Sequence, residues 1–272
     1  MKVVVKPSTK NINDYIKKGA NIFLLSLKDL SSFASVFFSH EEIIKIYDKY
    51  NVDIYLNIDK HMHNKDIDNL KIKLKSLEGS IKGVIFYDLS VLEIVKEEQL
   101  NIDLIWGPNF LVTNYETCNF YNHLGVKSVV ISNTILFKDI ENILKNVKFK
   151  CFINSFGYQL MSLSDRKLVS NYYKEIKEEY TNKKHYMIEK GNKYEIVENE
   201  NCTFTLSNEI FDLSSYLDKI KKYDPYLILD EISIPHSKFL KVLDRYLKEK
   251  DIEGIVTTSN KFLDVDTIVK VK

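Results

Sequence analysis

The sequence predicts an α/β protein, a TIM-like (β/α) barrel of parallel strands with a β-hairpin insertion near residues 186–206. Three observations carry this. Short apolar runs alternate with helical stretches in units of roughly 25 to 35 residues, the rhythm of strand-helix repeats that build a parallel sheet. Some of these runs, Ile22 to Leu25 most clearly, are apolar at consecutive positions, as strands covered on both faces require. No GxGxxG or Walker-type glycine loop follows an early strand, which favours a closed barrel over an open doubly wound sheet.

In chain order, Val3 to Val5 make the first strand, and Asn13 to Lys18 a short helix after the turn-rich Pro7, Ser8 and Thr9. Asn21 to Leu27 is the second strand. Ser39 then caps an amphipathic helix from His40 to Tyr50. Strands at 52–58, 84–87, 102–106 and 128–132 alternate with helices at 66–77, 91–98, 113–124 and 138–145. At Cys151 a buried strand runs into a polar turn broken by Asn154, Ser155 and Gly157, and a helix follows Ser164, Asp165 and Arg166. The pattern changes at Tyr186, where two extended runs flank Gly191-Asn192, a pair able to supply the positive φ of a hairpin turn. A helix at 213–220, a strand at 226–229 ending in Asp230-Glu231, a helix at 239–247 and an alternating strand from Thr267 to Val271 complete the reading.

A chain of 272 residues suits one barrel of roughly 250, so a single domain over 1–272 is expected, with the hairpin inserted at about 185–206. Lys+Arg 39 against Asp+Glu 38 leaves a formal charge of +1, and the total demands neither nucleic acid nor an anionic membrane. No stretch reaches the roughly 18 apolar residues of a membrane span, and the first apolar run is too short for a signal-peptide core, so a cytoplasmic protein is expected. Cys118, Cys151 and Cys202 lie far apart, without CxxC spacing, and read as reduced structural thiols.

Barrel enzymes place their chemistry at the C-terminal ends of the strands, which directs attention to polar residues there. Arg166 is one of only two arginines, and a guanidinium beside a strand end suits a bidentate contact to a carboxylate or phosphate. The competing reading is a helix cap by Ser164 with Arg166 in a surface ion pair. His61 and His63 follow the third strand, where an acid/base pair or a metal site could be built; an HxH without a third ligand reads first as structural or solvent-exposed histidine, and no metal is expected. Asn57, Asp88, Asn109, Asn114, Asn133, Asn154, Asp230 and Glu231 fall near strand ends, although each alone also reads as a turn or cap residue. Asp230 and Glu231 are adjacent and face opposite sides of a strand, so they do not serve one reaction together.

Three segments resemble the collagenase-like peptidase family of unknown catalytic type, the U peptidase family that includes proteins of tRNA wobble-uridine hydroxylation and of ubiquinone hydroxylation. GANIFLLSLKDLSSF from Gly19 is similar to the family's opening strand. LIWGPNFLVTNYETCNFYNHLGVKSVVIS from Leu104 resembles its strand, Thr-Asn helix start and following strand. FGYQLMSLSDRKLVSNY from Phe156 resembles its signature region, and the tail after Asp264 its closing strand.

The resemblance implies a barrel with its site at the C-terminal mouth and matches Asn114, Ser164, Arg166 and Asn171 to the family pattern. Phe156 stands where many relatives carry His, Ser132-Asn133 where an Arg-Glu pair is usual, and the signature cysteines are absent. With three scattered cysteines the four thiolates of an iron-sulfur cluster are not available, so no cofactor is expected. The implied activity is tRNA wobble-uridine hydroxylation. Its expected partners are tRNA, a small carboxylate held through Arg166 with Asn114 orienting it, and a hetero-partner of the same family. A peptidase with His61 or His63 as base and Asp88 or Glu231 in support, and a non-catalytic partner subunit, are the alternatives.

Overall fold

The computed structural model describes residues 1–181 and 183–265. The strands are β1 (Lys2–Lys6), β2 (Ile22–Ser26), β3 (Asp53–Ile58), β4 (Gly83–Phe86), β5 (Asp103–Trp106), β6 (Ser128–Ile131), β7 (Phe152–Ser164), β8 (His185–Glu189), β9 (Asn192–Glu198), β10 (Thr203–Asp212), β11 (Tyr226–Asp230) and β12 (Thr258–Ser259). The helices are α1 (Asn13–Lys17), α2 (His40–Tyr50), α3 (Ile67–Leu77), α4 (Ser90–Glu97), α5 (Tyr115–His123), α6 (Phe137–Asn146), α7 (Leu168–Glu175), α8 (Leu217–Ile220), α9 (His236–Leu247) and α10 (Lys261–Asp264). Strands β1 to β7 pair in parallel in sequence order, and β11 pairs with both β1 and β7, which closes an eight-stranded (β/α) barrel. The closing strand expected from Thr267 to Val271 lies outside the described residues.

Closure explains the continuous apolar runs, because alternate residues of each strand enter two different cores. Val4, Leu24, Tyr55, Ile85, Ile105, Val130, Phe152 and Ile228 fill the barrel interior. Their neighbours, among them Val5, Phe23, Leu56, Phe86, Ile131 and Leu229, pack outward against the helices. The helices complement them: α2 buries Ile43 and Ile46, and α6 buries Phe137, Ile140, Ile143 and Leu144. Ser39 caps α2 as expected, its Oγ accepting from the Glu42 N–H at 3.3 Å while Glu42 accepts from the Ser39 N–H at 2.7 Å.

The main departure from the sequence reading is β7. It does not end at the polar residues after Ile153 but continues to Ser164, leaving the barrel and pairing antiparallel with β10. Gly157 makes the departure possible. Its φ is +132°, and a Cβ there would stand 2.7 Å from the Asp230 carbonyl oxygen, so only glycine fits the bend against β11. Beyond it, β10, β9 and β8 extend an antiparallel sheet over 185–212, longer than the expected hairpin. The β8–β9 turn has Lys190 and Gly191 at φ +49° and +81°, so the positive-φ pair is Lys190-Gly191 and not Gly191-Asn192. The single helix expected at 213–220 is a 3₁₀ turn, Ser214–Tyr216, followed by α8.

The extension is anchored beside the mouth. Asn199 donates to the carbonyls of Ser32 (2.9 Å) and Ala34 (3.3 Å), and Asn201 to those of Lys28 and Ser31 (both 2.7 Å). Phe204 meets Phe33 edge-on, with Cys202, Leu206 and Ile232 forming a small satellite core.

Candidate functional site

Strand alternation sets the floor of the mouth. Two residues beyond the interior apolar positions Val4, Tyr55, Phe152 and Ile228 come Lys6, Asn57, Asn154 and Asp230, the next interior layer at the C-terminal ends. A cavity opens above Leu24, Ile85, Val130 and Ile228 and is lined by these polar residues together with Asp59, Asn109, Asn133 and Gln159. Phe33, Phe110 and Tyr158 supply aromatic walls. Gly107 lies on the floor, where a Cβ would meet Ile85 at 2.6 Å, so any side chain would disturb this layer.

Lys6 is 7% exposed, and its Nζ donates to Asp230 Oδ2 at 2.8 Å while standing 4.1 Å from the Phe33 ring centre. The other Asp230 oxygen accepts the Ile232 N–H at 2.9 Å. Asp59 accepts from the N–H groups of Ser32 (2.6 Å) and Phe33 (3.2 Å), which fixes the loop after β2, and from the Asn57 amide. Burial pushes the Asp59 carboxyl above the usual carboxylate range; the Lys6 charge and these hydrogen bonds oppose the shift. Gln159 is 9% exposed, and its Nε2 has no acceptor among the described residues. A buried amide donor left in this state costs about 1–3 kcal/mol.

Of the residues singled out from sequence, Asn57 and Asn154 line the mouth, as do Asn109, Asn133 and Asp230. The others are placed elsewhere. Arg166 is exposed, past the end of the long β7, and is not among the residues lining the cavity, because β7 carries that segment out of the barrel before the turn. Ser164 accepts from the Arg166 N–H at 3.3 Å, a local turn contact. Asn114 caps α5 by accepting from the Thr117 N–H at 2.9 Å, and Asn171 is exposed on α7. Asp88 accepts from the Ser90 N–H at 2.9 Å at the start of α4.

His61 is half exposed, its Nδ1 3.1 Å from Asp165 Oδ2 and its ring edge-on to Tyr87, and His63 is exposed. Neither histidine lines the mouth. Glu231 is fully buried on the helix side, where it accepts from the Ser8 N–H (2.8 Å) and the Tyr15 hydroxyl and meets His236 Nδ1 at 2.7 Å.

The residues that the sequence reading passed over are Lys6, Asp59 and Gln159. For Lys6 a signal existed: it lies two positions past an interior valine, on the same strand face. Gln159 carried no such signal, because its place depends on β7 continuing past Gly157.

The three thiols are buried at separate places, Cys202 on the Ser32 carbonyl and Cys118 on the Asn114 carbonyl. Burial pushes Cys118 and Cys202 each up to about 12 and raises Cys151 as well, which favours the protonated form over a metal-binding thiolate. Among the described residues no group of three or more His, Cys, Asp or Glu side chains is placed to hold a metal ion, so this donor set does not fit an iron-sulfur cluster. No described helix is long and apolar enough to cross a membrane.

Comparison with known proteins places this geometry in context. The family model described as peptidase family U32 matches residues 8–228. The chain is 28% identical over 251 residues to tRNA hydroxylation protein P2 of Bacillus subtilis, covering 83% of this chain and 81% of that one. It is 25% identical over 141 residues to tRNA hydroxylation protein P1 of the same organism, covering 50% of this chain and 33% of that one. Among solved structures, the fold is similar to orotidine 5'-monophosphate decarboxylase from Methanocaldococcus jannaschii, with TM-score 0.50 and 9% identity over 92% of this chain and 98% of that one.

Proposed function

The chain belongs to peptidase family U32, and we propose that it acts in tRNA hydroxylation, at a wobble uridine, with the barrel mouth around Lys6, Asp59 and Asp230 as its working site. The observation that carries this reading is the similarity over most of the chain to a tRNA hydroxylation protein. The mouth adds support, because it gathers buried polar groups where barrel enzymes place their chemistry.

The geometry does not favour a peptidase. His61 and His63 lie outside the mouth, and Glu231 faces the helix layer, so the expected base and its supporting carboxylates do not converge. Arg166, expected to hold a carboxylated ligand, is exposed and is not part of the mouth lining. A hetero-partner of the same family fits the two curated relatives, P1 and P2, found together in one organism.

The test is mass spectrometry of tRNA nucleosides from a strain lacking the gene, with and without a plasmid copy. Loss of hydroxyuridine that the wild-type copy restores and an Asp230→Asn copy does not restore, at equal protein level, supports the reading. Unchanged hydroxyuridine in the deletion strain overturns it. A copy that restores hydroxylation only when a family paralogue is also expressed identifies the chain as one half of a pair.

A further inference from the structure

The antiparallel extension ends in an open edge. In the sheet order β7-β10-β9-β8, strand β8 pairs with β9 on one side, and no other described strand pairs with it on the other. An edge of this kind presents a row of unpaired N–H and C=O groups that recruits another strand, and proteins blunt it with proline, a bulge or charge along the strand. Strand β8 has no proline, its five pairs with β9 run without a register shift, and its charge is confined to its ends. Its centre is Tyr186, Met187 and Ile188, which are 46%, 44% and 68% exposed.

The hairpin fixes what this edge offers. Lys190 and Gly191 form a two-residue turn with both residues at positive φ, the form that closes on a hydrogen-bonded pair, here Glu189 and Asn192. Counting back from that pair, the backbone N–H and C=O groups of Tyr186 and Ile188 point away from β9. His185, Met187 and Glu189 share the face toward α7, where His185 Nε2 lies 3.2 Å from the Tyr173 hydroxyl, and Tyr186 and Ile188 share the other face.

Run antiparallel to itself, the edge is self-complementary. A two-fold axis between two copies passes where a residue meets its own counterpart, so the apolar centre allows Tyr186, Met187 or Ile188 at that point. Centred on Met187, His185 faces Glu189 twice and Tyr186 faces Ile188 twice. Lys184 then faces Lys190, the one like-charge contact, but Lys184 is already held by Glu195 at 2.9 Å. Centring on Tyr186 sets Lys184 against Ile188, and centring on Ile188 sets Met187 against Glu189, apolar against charged in each case. Strand pairing alone covers less than the roughly 1,200 Å² in total that a stable interface buries. The apolar surface continues beside it: Tyr180 stacks on His185, and Tyr172 and Ile176 are exposed along α7 and at its end.

We propose that β8 is the docking strand for a second copy of this chain, paired antiparallel about Met187 in a two-fold dimer. Each chain has one such edge, so assembly stops at two. The contact lies on the extension and does not depend on the reaction assigned to the mouth.

Sedimentation equilibrium of the full chain over a concentration series tests this. The wild type should form a reversible dimer. Glu189→Lys and His185→Glu should each weaken it roughly fivefold by removing the complementary pairs, and an equimolar mixture of the two, or one chain carrying both changes, should regain it. Ile188→Lys, which sets a charge at the middle of the edge on an exposed side chain, should leave a monomer with an unchanged circular dichroism spectrum. Should His185→Glu fail to fold through loss of its Tyr173 contact, Ile188→Lys and Glu189→Lys still decide the matter. A wild type that stays monomeric at about 100 µM overturns the proposal. So does a dimer indifferent to Ile188→Lys, or a chain that uses β8 to pair only with a family paralogue.

Discussion

Asp230 and Glu231 are consecutive at the end of β11 and live in different regions of the molecule. Asp230 turns into the mouth, pairs with Lys6 and keeps 15% of its side chain exposed. Glu231 turns into the layer between the barrel and the helices α1 and α9, is fully buried, and satisfies Tyr15, Ser8 and His236. Chemistry does not separate these two carboxylates; strand parity does. One serves a space that a ligand can enter, and the other closes a network that holds the barrel to its helices.

The largest effect should come from breaking the helix-side network. Glu231→Ala leaves a buried hydroxyl, an N–H and an imidazole without their acceptor, and should cost about 3–4 kcal/mol in denaturant unfolding. A Glu231→Ala protein of near-native stability that nonetheless lost tRNA hydroxylation would erase the division between the two regions.

Asp230→Asn should cost less, about 1–2 kcal/mol, because Lys6 remains beside Asp59 and an amide oxygen still accepts its proton. Hydroxylation should nevertheless be lost at normal protein abundance, measured by nucleoside analysis alongside immunoblotting. Full activity in this variant would move the working site away from the mouth.

Asp59→Asn sharpens the comparison through pH. The folded-state pKa of Asp59 is raised, chiefly by burial, so between the unfolded carboxylate value of about 4 and the raised folded value the native state binds more protons than the unfolded one. Its contribution is therefore fully present below the unfolded pKa and is lost as pH rises through the folded pKa. The variant should show a flatter decline of stability across that window in denaturant titrations at stepped pH. Asp212, raised by burial in the same direction, remains in both proteins and cancels in the difference. An unchanged slope would mean that Asp59 is as well solvated as a surface carboxylate.

The smallest effect is expected at the residue that looked most functional in the sequence. Arg166→Ala should change stability by less than about 0.5 kcal/mol, as surface substitutions do, and leave hydroxylation intact. A loss of hydroxylation with unchanged folding would give the antiparallel extension a role in the reaction that its exposed turn does not show.

Much of the barrel was legible because local pattern and burial agree there. The run at 22–25 read as a strand covered on both faces and that at 84–87 as a strand, both of which the barrel contains, and Ser39 marked the start of α2. The mouth was only half legible. Asn57, Asn154 and Asp230 fall where strands end, yet Lys6 carries the same alternation signal and looks like one surface lysine among many. Asn114, Ser164 and Asp88 lie just as close to strand or helix ends and proved to be cap and turn residues, because a polar side chain near an N–H group finds its partner locally. Arg166 misled because nothing near it in the chain shows that β7 keeps running past Gly157; that is set by pairing with β10, some fifty residues later.

By itself the sequence determined the order of strands and helices and the need for two apolar layers, since periodicity and capping act over a few neighbouring residues. It also determined that Asp230 and Glu231 must part. Tertiary structure alone decided which of them faces inward, which amides converge on the cavity and where the arginine ends up. Those outcomes depend on closing β11 against β1 and β7 and on β7 leaving the barrel, pairings made between residues far apart in the chain.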